Sequence, residues 1–593
     1  MANAIAEFEL TLVSNGAAFD AYAEGDFDAL NAQQRRGLAI FRSAVTRCFE
    51  CHTAPAFTDQ TFRVVGVPDN GSDDKGRGGI TSGADYAFKV PTLRNAVLSA
   101  PYMHNGLVTT LEGAIDLYAE GAEKFDQARV DRQVEMGFSL TEQETEDIIT
   151  FLNALVDETI PEEYWEGLNY IDSEGHILIP DSVPSGSDLV INAFDNPARD
   201  YVAQVEAEPD NRSECNRDPS AQTVTVSAGQ TIQQAVDCAE QGDTVLVPPG
   251  IYKERVVIDT NGITLRGMAD EPDMCPVQTA EALFPTGDAA PKWPILEGDV
   301  DGDGENDLTD GVIASGNDFT MENFVMRNYT GNGVLVDGVR GVTIRHTYSE
   351  NVGLYGVYPV RSTDVLVECN VSTLVTDAAI YVGQSRDIIV RNNLVYDNIA
   401  GIEIENSAYA KVYDNEAWNN VGGLLVFLLT NLNSRVSTHV EVYDNYIHDN
   451  NRGKGDTNTG LVAMVPIGAG ILLMGTDHSE IYNNRIENND SFGIGVAALY
   501  MAYERDQIEN VGPLSEYNYI HDNILVNNGT NPDAFLTDAG LPGSDLLWDT
   551  EGFGNVWDQP GASRFPPVLP SSSWPDFAQR AIYRIWNYIA QNL

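Results

Sequence analysis

Positive charge is scarce in this chain. Its 593 residues hold 34 Lys and Arg against 89 Asp and Glu, a formal charge of −55. Such a surface repels phosphate backbones, so nucleic acid is not an expected partner. It favours solubility and cation binding instead. Long hydrophobic runs are missing too. No apolar stretch of ~18 residues occurs, so no membrane span is expected. The opening residues, MANAIAEFELTLVS, lack the basic start, apolar centre and small-residue cleavage site of a secretory signal. Cysteine is sparse, six in all. Cys48 and Cys51 stand close together; Cys215, Cys238, Cys275 and Cys369 are scattered. Some pairing among Cys215, Cys238 and Cys275 is expected in an oxidising compartment. Cys369 lies in a strand pattern and reads as a buried small hydrophobe.

The texture changes along the chain. Residues 1–157 read as helical, with apolar-periodic runs at Ala2–Leu12, Asn31–Ala44, Leu111–Ala119 and Thr141–Val156. The last opens on Thr141-Glu142-Gln143-Glu144, a capping box. Residues 158–222 are acidic and rich in Pro and Ser, and read as a linker. From Thr223 short strand-like runs alternate with Gly, Asn and Asp. This pattern is expected to extend to residue 535, with 536–593 as a C-terminal cap segment.

The strand-like runs fall into register. Asn370, Asn393, Asn415, Asn445, Asn484 and Asn523 each end a β-branched or aromatic run, and Ser362, Ser385, Ser407, Ser437, Thr476 and Ser515 each precede one of them by eight residues. The spacings of 23, 22, 30, 39 and 39 residues point to a parallel β-solenoid. Its coils stack about 4.8 Å apart, and the Asn row hydrogen-bonds along the stack. The longer spacings place insertions near 425–435, 451–468 and 496–514, where a binding face often forms. The segment AGQTIQQAVDCAEQGDTVLVPPGIYKERVVI, residues 228–258, resembles the start of right-handed parallel β-helices of the pectate-lyase-like and NosD-like type. The helix Thr231–Ala239 within it would cap the open end. The fold class expected is therefore multidomain: an all-α cytochrome c-type domain, then an all-β right-handed parallel β-helix.

Cys48-Phe49-Glu50-Cys51-His52 fits the attachment pattern of haem c, two thioethers plus a proximal histidine ligand. Half a zinc site would need further ligands at suitable spacing, and a redox dithiol would sit in a βαβ context. Around the motif, GLAIFRSAVTRCFECHTAPAFTD, DKGRGG, FKVPTLRNAVLSAPYMHNGLVTTLEGAIDLYAEG and LTEQETEDIITFLNAL resemble the C-terminal haem domain of bacterial di-haem cytochrome c peroxidases and their MauG-like relatives. The resemblance covers residues 1–157. Counted from Pro101-Tyr102-Met103-His104-Asn105-Gly106, it implies Tyr118 as the second axial ligand, where the peroxidases have Met. A phenolate ligand would stabilise oxidised iron. Met103 or His104 as ligand, or an open site, are the alternatives. His104 is otherwise expected beside the haem, and Arg94 is a candidate propionate partner or a surface ion pair. The resemblance also implies a preceding domain with a peroxide-reacting haem, which this sequence does not contain. ANAIAEFELTLVSNGAAFDAYAEGD resembles the join between the two domains, so the expectation is a chain truncated at its N-terminus, or a gene whose true start lies upstream, with one haem in the chain as given.

Two further groups stand out. Asp299, Asp301, Asp303, Glu305, Asp307 and Asp310 with Gly304 match a calcium loop, alternate carboxylates converging on one hard cation. On the solenoid, register aligns Tyr358, Tyr381 and Glu403 on successive coils, with Glu405 two residues on. Exposed aromatics beside Glu403 and Glu405 could serve a polysaccharide lyase or epimerase. His439 and His478 share a ladder position with Asp and Tyr, which suits a surface row better than a metal site.

The function expected is a periplasmic or extracellular haem c oxidoreductase of the di-haem peroxidase and MauG class. Its partner would be an electron-donor protein or a second haem domain, and its β-helix would bind a substrate or surface. A carbohydrate-active β-helix with an accessory haem domain, in contact with a polysaccharide, and a non-catalytic haem-bearing scaffold are the alternatives.

Overall fold

Two units divide the chain, Met1–Asp210 and Asn211–Leu593. The structure is a computed structural model. It describes residues 14–157 and 215–575 with breaks, the longest at 122–129, 270–291 (Cys275 excepted) and 456–463, and isolated positions beyond 575. The run Ala2–Leu12, most of the 158–222 segment and Glu305 lie outside the described residues. No helix among the described residues is long and apolar enough to cross a membrane.

The smaller unit is built on two helices, Ala32–Phe41 and Glu142–Asn153. Asn31 starts the first by accepting from the Gln34 N–H at 2.8 Å, while the Gln34 side chain accepts from the Asn31 N–H at 3.0 Å. Thr141 and Glu144 make the same reciprocal cap on the second, at 3.2 and 2.8 Å, so orphan first-turn donors are satisfied. Leu38, Ile40 and Phe41 pack with Ile148, Phe151 and Leu152 in one buried cluster. Gly37 sets how closely the helices approach: a Cβ there would lie 1.9 Å from the Asp147 carbonyl oxygen. A third helix, Leu111–Ala119, is capped by Thr110. The unit is not purely α. Phe62–Arg63 and Phe88–Lys89 pair antiparallel, strands too short to leave an alternating pattern in the sequence.

The larger unit is a parallel β-helix. One wall is an eleven-stranded parallel sheet running from Val256–Ile258 to Arg564–Phe565. Val334, Val357, Ile380, Ile402, Leu424, Ile471, Ile494 and Leu546 follow one another in register through it, each wholly buried. Each such side chain contributes about 1.5–3 kcal/mol by leaving water, and each needs the next coil to do so. At the entry, helix Ile232–Asp237, capped by Thr231, buries Ile232, Ala235 and Val236.

The asparagine row forms. Nδ2 of Asn370, Asn393, Asn415, Asn445 and Asn484 each donates to Oδ1 of the next member at 2.9–3.0 Å. A second row runs five residues downstream, Asn398, Asn420, Asn450, Asn489 and Asn528, at 2.9–3.1 Å. The first ends on Gln559, whose amide donates back to the Asn523 carbonyl. The second ends on the Asp545 carboxylate, 3.1 Å from Asn528.

Two expectations need correction here. The coils do not stop at residue 535: Ser544–Trp548, Val556–Asp558 and Arg564–Phe565 continue the stack, because the Asn528–Ser544 connection is one more insertion, holding helix Ala534–Asp538, rather than an end. And Cys369 is not a lone small hydrophobe. It is buried, but bonded to Cys275, while Cys215 bonds Cys238. Cys369 sits at a corner with φ of 58°, between strands rather than within one, so its side chain can leave the coil for a partner 94 residues away.

Candidate functional site

Arg47, left-handed at φ 52°, turns the chain into the single-turn helix Cys48–Cys51. That turn puts both thiols on one face. Both are free. Burial pushes each up to about 11, Arg63 partly opposing it at Cys51. His52 follows as the helix ends, and its Nδ1 lies 3.1 Å from the Phe57 carbonyl oxygen. Phe57 is itself fixed: it is 1% exposed and meets Phe19 and Phe151 at 4.9 and 6.0 Å. With Nδ1 donating to that carbonyl, Nε2 keeps its lone pair. Burial lowers the His52 pKa, the Phe57 and Pro91 carbonyls partly opposing it.

Helix Leu111–Ala119 brings Tyr118 into this neighbourhood. Burial raises its phenol, and Cys51 and Cys48 are near enough to oppose its ionisation further. Two free thiols one turn apart, the His52 imidazole and a nearby phenol suit a covalently attached haem. The Tyr102 hydroxyl is buried and has no partner among the described residues. His104 is exposed and stacks on Phe88 at 3.6 Å.

Arg94 is engaged within the protein as an ion pair. Its Nη1 and Nη2 donate to the two Asp20 carboxylate oxygens at 2.9 and 2.6 Å, and Nε donates to the Pro55 carbonyl at 2.8 Å. The fork is used up on a carboxylate, and the side chain straps the loop after His52 to helix Ala18–Ala23. The ion-pair alternative holds, although the pair is largely buried, 9% and 18% exposed.

The acidic loop assembles only in part. Asp299, Asp301 and Asp307 bring ligand atoms within 4.8 Å of one another. Asp303 donates its N–H to Asp301. Asp310 is not a loop ligand: it begins strand Asp310–Ala314, is wholly buried, and accepts from Asn332 at 2.6 Å. The motif runs into the first coil, and the strand takes its last carboxylate.

Register pairs Tyr381 with Glu403 as expected, and Gly383 with Glu405. Their exposure does not follow expectation. Glu403 is 2% and Glu405 4% exposed, and Tyr358 and Tyr381 are buried with Tyr355. Alternation says which face a side chain takes, not whether that face is covered. Desolvation first, then Asp377 and Glu405, hold Glu403 well above the usual carboxylate range. Sequence reading missed Asp377 and Tyr355, which join the group only through coil stacking. His439 and His478 stack face to face at 5.4 Å with Tyr409 and Tyr517 beyond them.

Comparison with known proteins divides along the same line. The N-terminal region is 38% identical over 157 residues to the methylamine utilization protein MauG of Methylorubrum extorquens, covering 26% of this chain and 42% of that one. It is 31% identical over 202 residues to the cytochrome-c peroxidase IdrP1 of a Pseudomonas species, covering 27% and 52%, and 33% identical over 161 residues to the cytochrome c peroxidase Ccp of Escherichia coli, covering 26% and 31%. The helical unit is MauG- and peroxidase-like. This chain spans 42–52% of the length of the first relatives it matches. Residues 311–562 match the family described as periplasmic copper-binding protein (NosD). Similar solved structures include a MauG-like protein associated with microbial copper homeostasis, 28% identical over 25% of this chain and 49% of that one, TM-score 0.22. Another is the A-module of the Azotobacter vinelandii mannuronan C-5 epimerase AlgE4, 16% identical over 56% and 91%, TM-score 0.36.

Proposed function

We propose that this chain carries one haem c, bound through Cys48 and Cys51 with His52 and Tyr118 as axial ligands. It works outside the cytoplasm as an electron-transfer oxidoreductase of the di-haem peroxidase and MauG class, with the β-helix binding a substrate or surface. The carrying observation is the pairing of the Cys48-x-x-Cys51-His52 turn with a phenol 66 residues away that feels both sulfurs. When bound, the haem would supply one-electron chemistry. The protein's own part is to orient His52 through the Phe57 carbonyl, hold the loop with Arg94, and exclude water around Tyr118. Two disulfides support an oxidising compartment. An electron-donor protein or a second haem domain is the partner of this reading. The test is an absorption and magnetic circular dichroism spectrum of the intact secreted protein. One haem per chain is expected, without the Fe(III)–sulfur band of methionine ligation and with a shift in Tyr118→Phe. A sulfur band, or no change in Tyr118→Phe, overturns the Tyr118 assignment. Calcium is part of the same reading, at Asp299, Asp301 and Asp307. Calcium should raise the unfolding temperature, and an equal rise in Asp301→Asn overturns it.

A further inference from the structure

The helical unit buries a phenol that is left without an acceptor. Tyr102 Oη is shut off from solvent, and it has no hydrogen-bond partner among the described residues. A buried donor in that state costs about 1–3 kcal/mol. The loop that carries it is held in place. The Tyr102 N–H donates to the Val108 carbonyl at 2.6 Å, and the two residues form a β-bridge. Asn105 Nδ2 donates to the Pro68 carbonyl at 2.7 Å, and Asn105 Oδ1 accepts from the Leu107 N–H at 3.3 Å. Burial first, then Glu112, pushes the phenol up to about 12, so it keeps its proton and stays a donor.

The position of this donor relative to Tyr118 follows from the helix between them. The loop runs straight into Leu111–Ala119, capped by Thr110. Leu111 and Ile115 pack on the buried cluster that Cys48 and Phe49 also join. Tyr118 lies three residues beyond Ile115 and so shares that face. Val108, the bridge partner of Tyr102, packs on the first turn: a Cβ at Gly113 would lie 3.3 Å from its Cγ1. From Gly113 to Tyr118 is about 7.5 Å of helix. Tyr102 therefore stands at the rim of a haem whose iron Tyr118 meets, rather than over the iron. A haem rim is hydrocarbon except for its two propionates, and an O–H···O⁻ bond to a carboxylate is a strong one. We propose that the Tyr102 hydroxyl donates a hydrogen bond to a haem propionate. This rests on the haem reading above and adds a contact to it. The bond would draw on the propionate's charge without bringing a positive charge to the site.

The experiment compares the intact haem-loaded chain with Tyr102→Phe, which keeps the ring and the backbone bond to Val108 and removes only the hydroxyl. In resonance Raman spectra the propionate bending band should move in Tyr102→Phe and stay in place in Tyr409→Phe, whose ring is 53% exposed on the β-helix. Losing the donor leaves more negative charge near the iron, which favours the oxidised state. The equilibrium constant for reduction should fall by about three- to tenfold in Tyr102→Phe. A pyridine haemochrome assay keeps the two claims apart. No covalent haem sinks the haem reading and this contact with it. Covalent haem with an unmoved propionate band and an unchanged potential overturns the contact alone, and leaves a trapped water as the hydroxyl's partner. A measurement on the wild type needs no variant: a nuclear Overhauser contact between the Tyr102 ring and a propionate methylene is expected, and its absence overturns the proposal.

Discussion

Replacing Asn445 with Ala should weaken the β-helix by roughly 2–6 kcal/mol. Asn445 is 2% exposed. Its Nδ2 donates to the carbonyls of Val412 and Tyr443 and to Asn484 Oδ1, each at 2.9 Å. Its Oδ1 accepts from the Asn415 backbone N–H at 3.1 Å and from Asn415 Nδ2 at 2.9 Å. The losses are unequal. Asn415 Nδ2 keeps two carbonyls, of Val390 and Tyr413, and Asn484 Oδ1 keeps the Asn445 N–H. The Asn415 N–H keeps nothing, and a stranded buried donor costs about 1–3 kcal/mol. Two carbonyls losing a donor add about 0.5–1.5 kcal/mol each. Urea unfolding followed by far-ultraviolet circular dichroism reads the shift. Glu441→Ala is the control, since Glu441 faces Lys411 at 3.7 Å across solvent and should change stability by under ~1 kcal/mol. A loss in Asn445→Ala no larger than that control would refute the reasoning, since the row would then be ornament on a stack held by its apolar column alone.

Other outcomes follow from single features. Burial opposes protonation of His448, but Glu416 at 3.2 Å and Asp449 at 2.8 Å outweigh it and raise its pKa. The stabilisation is therefore full below the unfolded value of about 6.5 and is lost as pH rises through the folded value. The stability gap between wild type and His448→Gln should shrink on going from mildly acid to alkaline pH, and a flat gap contradicts the argument. Arg94→Lys gives up the bidentate grip on Asp20 and the Pro55 contact, and should lower the helical unit's stability by about 1–3 kcal/mol. A double-mutant cycle with Asp20→Asn should show coupling, and additivity would refute the strap. Cys369→Ser opens a 94-residue loop and should cost about 4–5 kcal/mol in thermal unfolding; unchanged stability would show that the bridge constrains little.

The sequence disclosed what repeats and concealed what depends on a single remote partner. The row from Asn370 to Asn523 was legible because each member closes the same short strand run. The second row from Asn398 to Asn528 carried an equally regular signal, five residues on, and was missed because its members follow shorter strands. Cys369 read as a core residue since nothing near it announces Cys275. Arg94 stayed open between a propionate contact and an ion pair because a motif shows a guanidinium but not the Asp20 that occupies it. Asp310 belonged to a plausible metal motif until the first coil claimed it. Glu403 and Glu405 were put on the right strand and the right side. Only their burial was unforeseen, because cover comes from elsewhere in the chain.

The way the two asparagine rows finish has a consequence for association between molecules. A stack of parallel strands with amide rows along its length is the architecture of a fibre, and each coil offers the next a template. An open asparagine at the last coil would extend that template to a second molecule. Gln559 turns its donor back onto Asn523, and Asp545 has no amide hydrogen to pass on and is engaged by Ser563 at 2.8 Å. The final coils thus read the pattern without repeating it, so neither row presents an open amide of its own kind to a further strand.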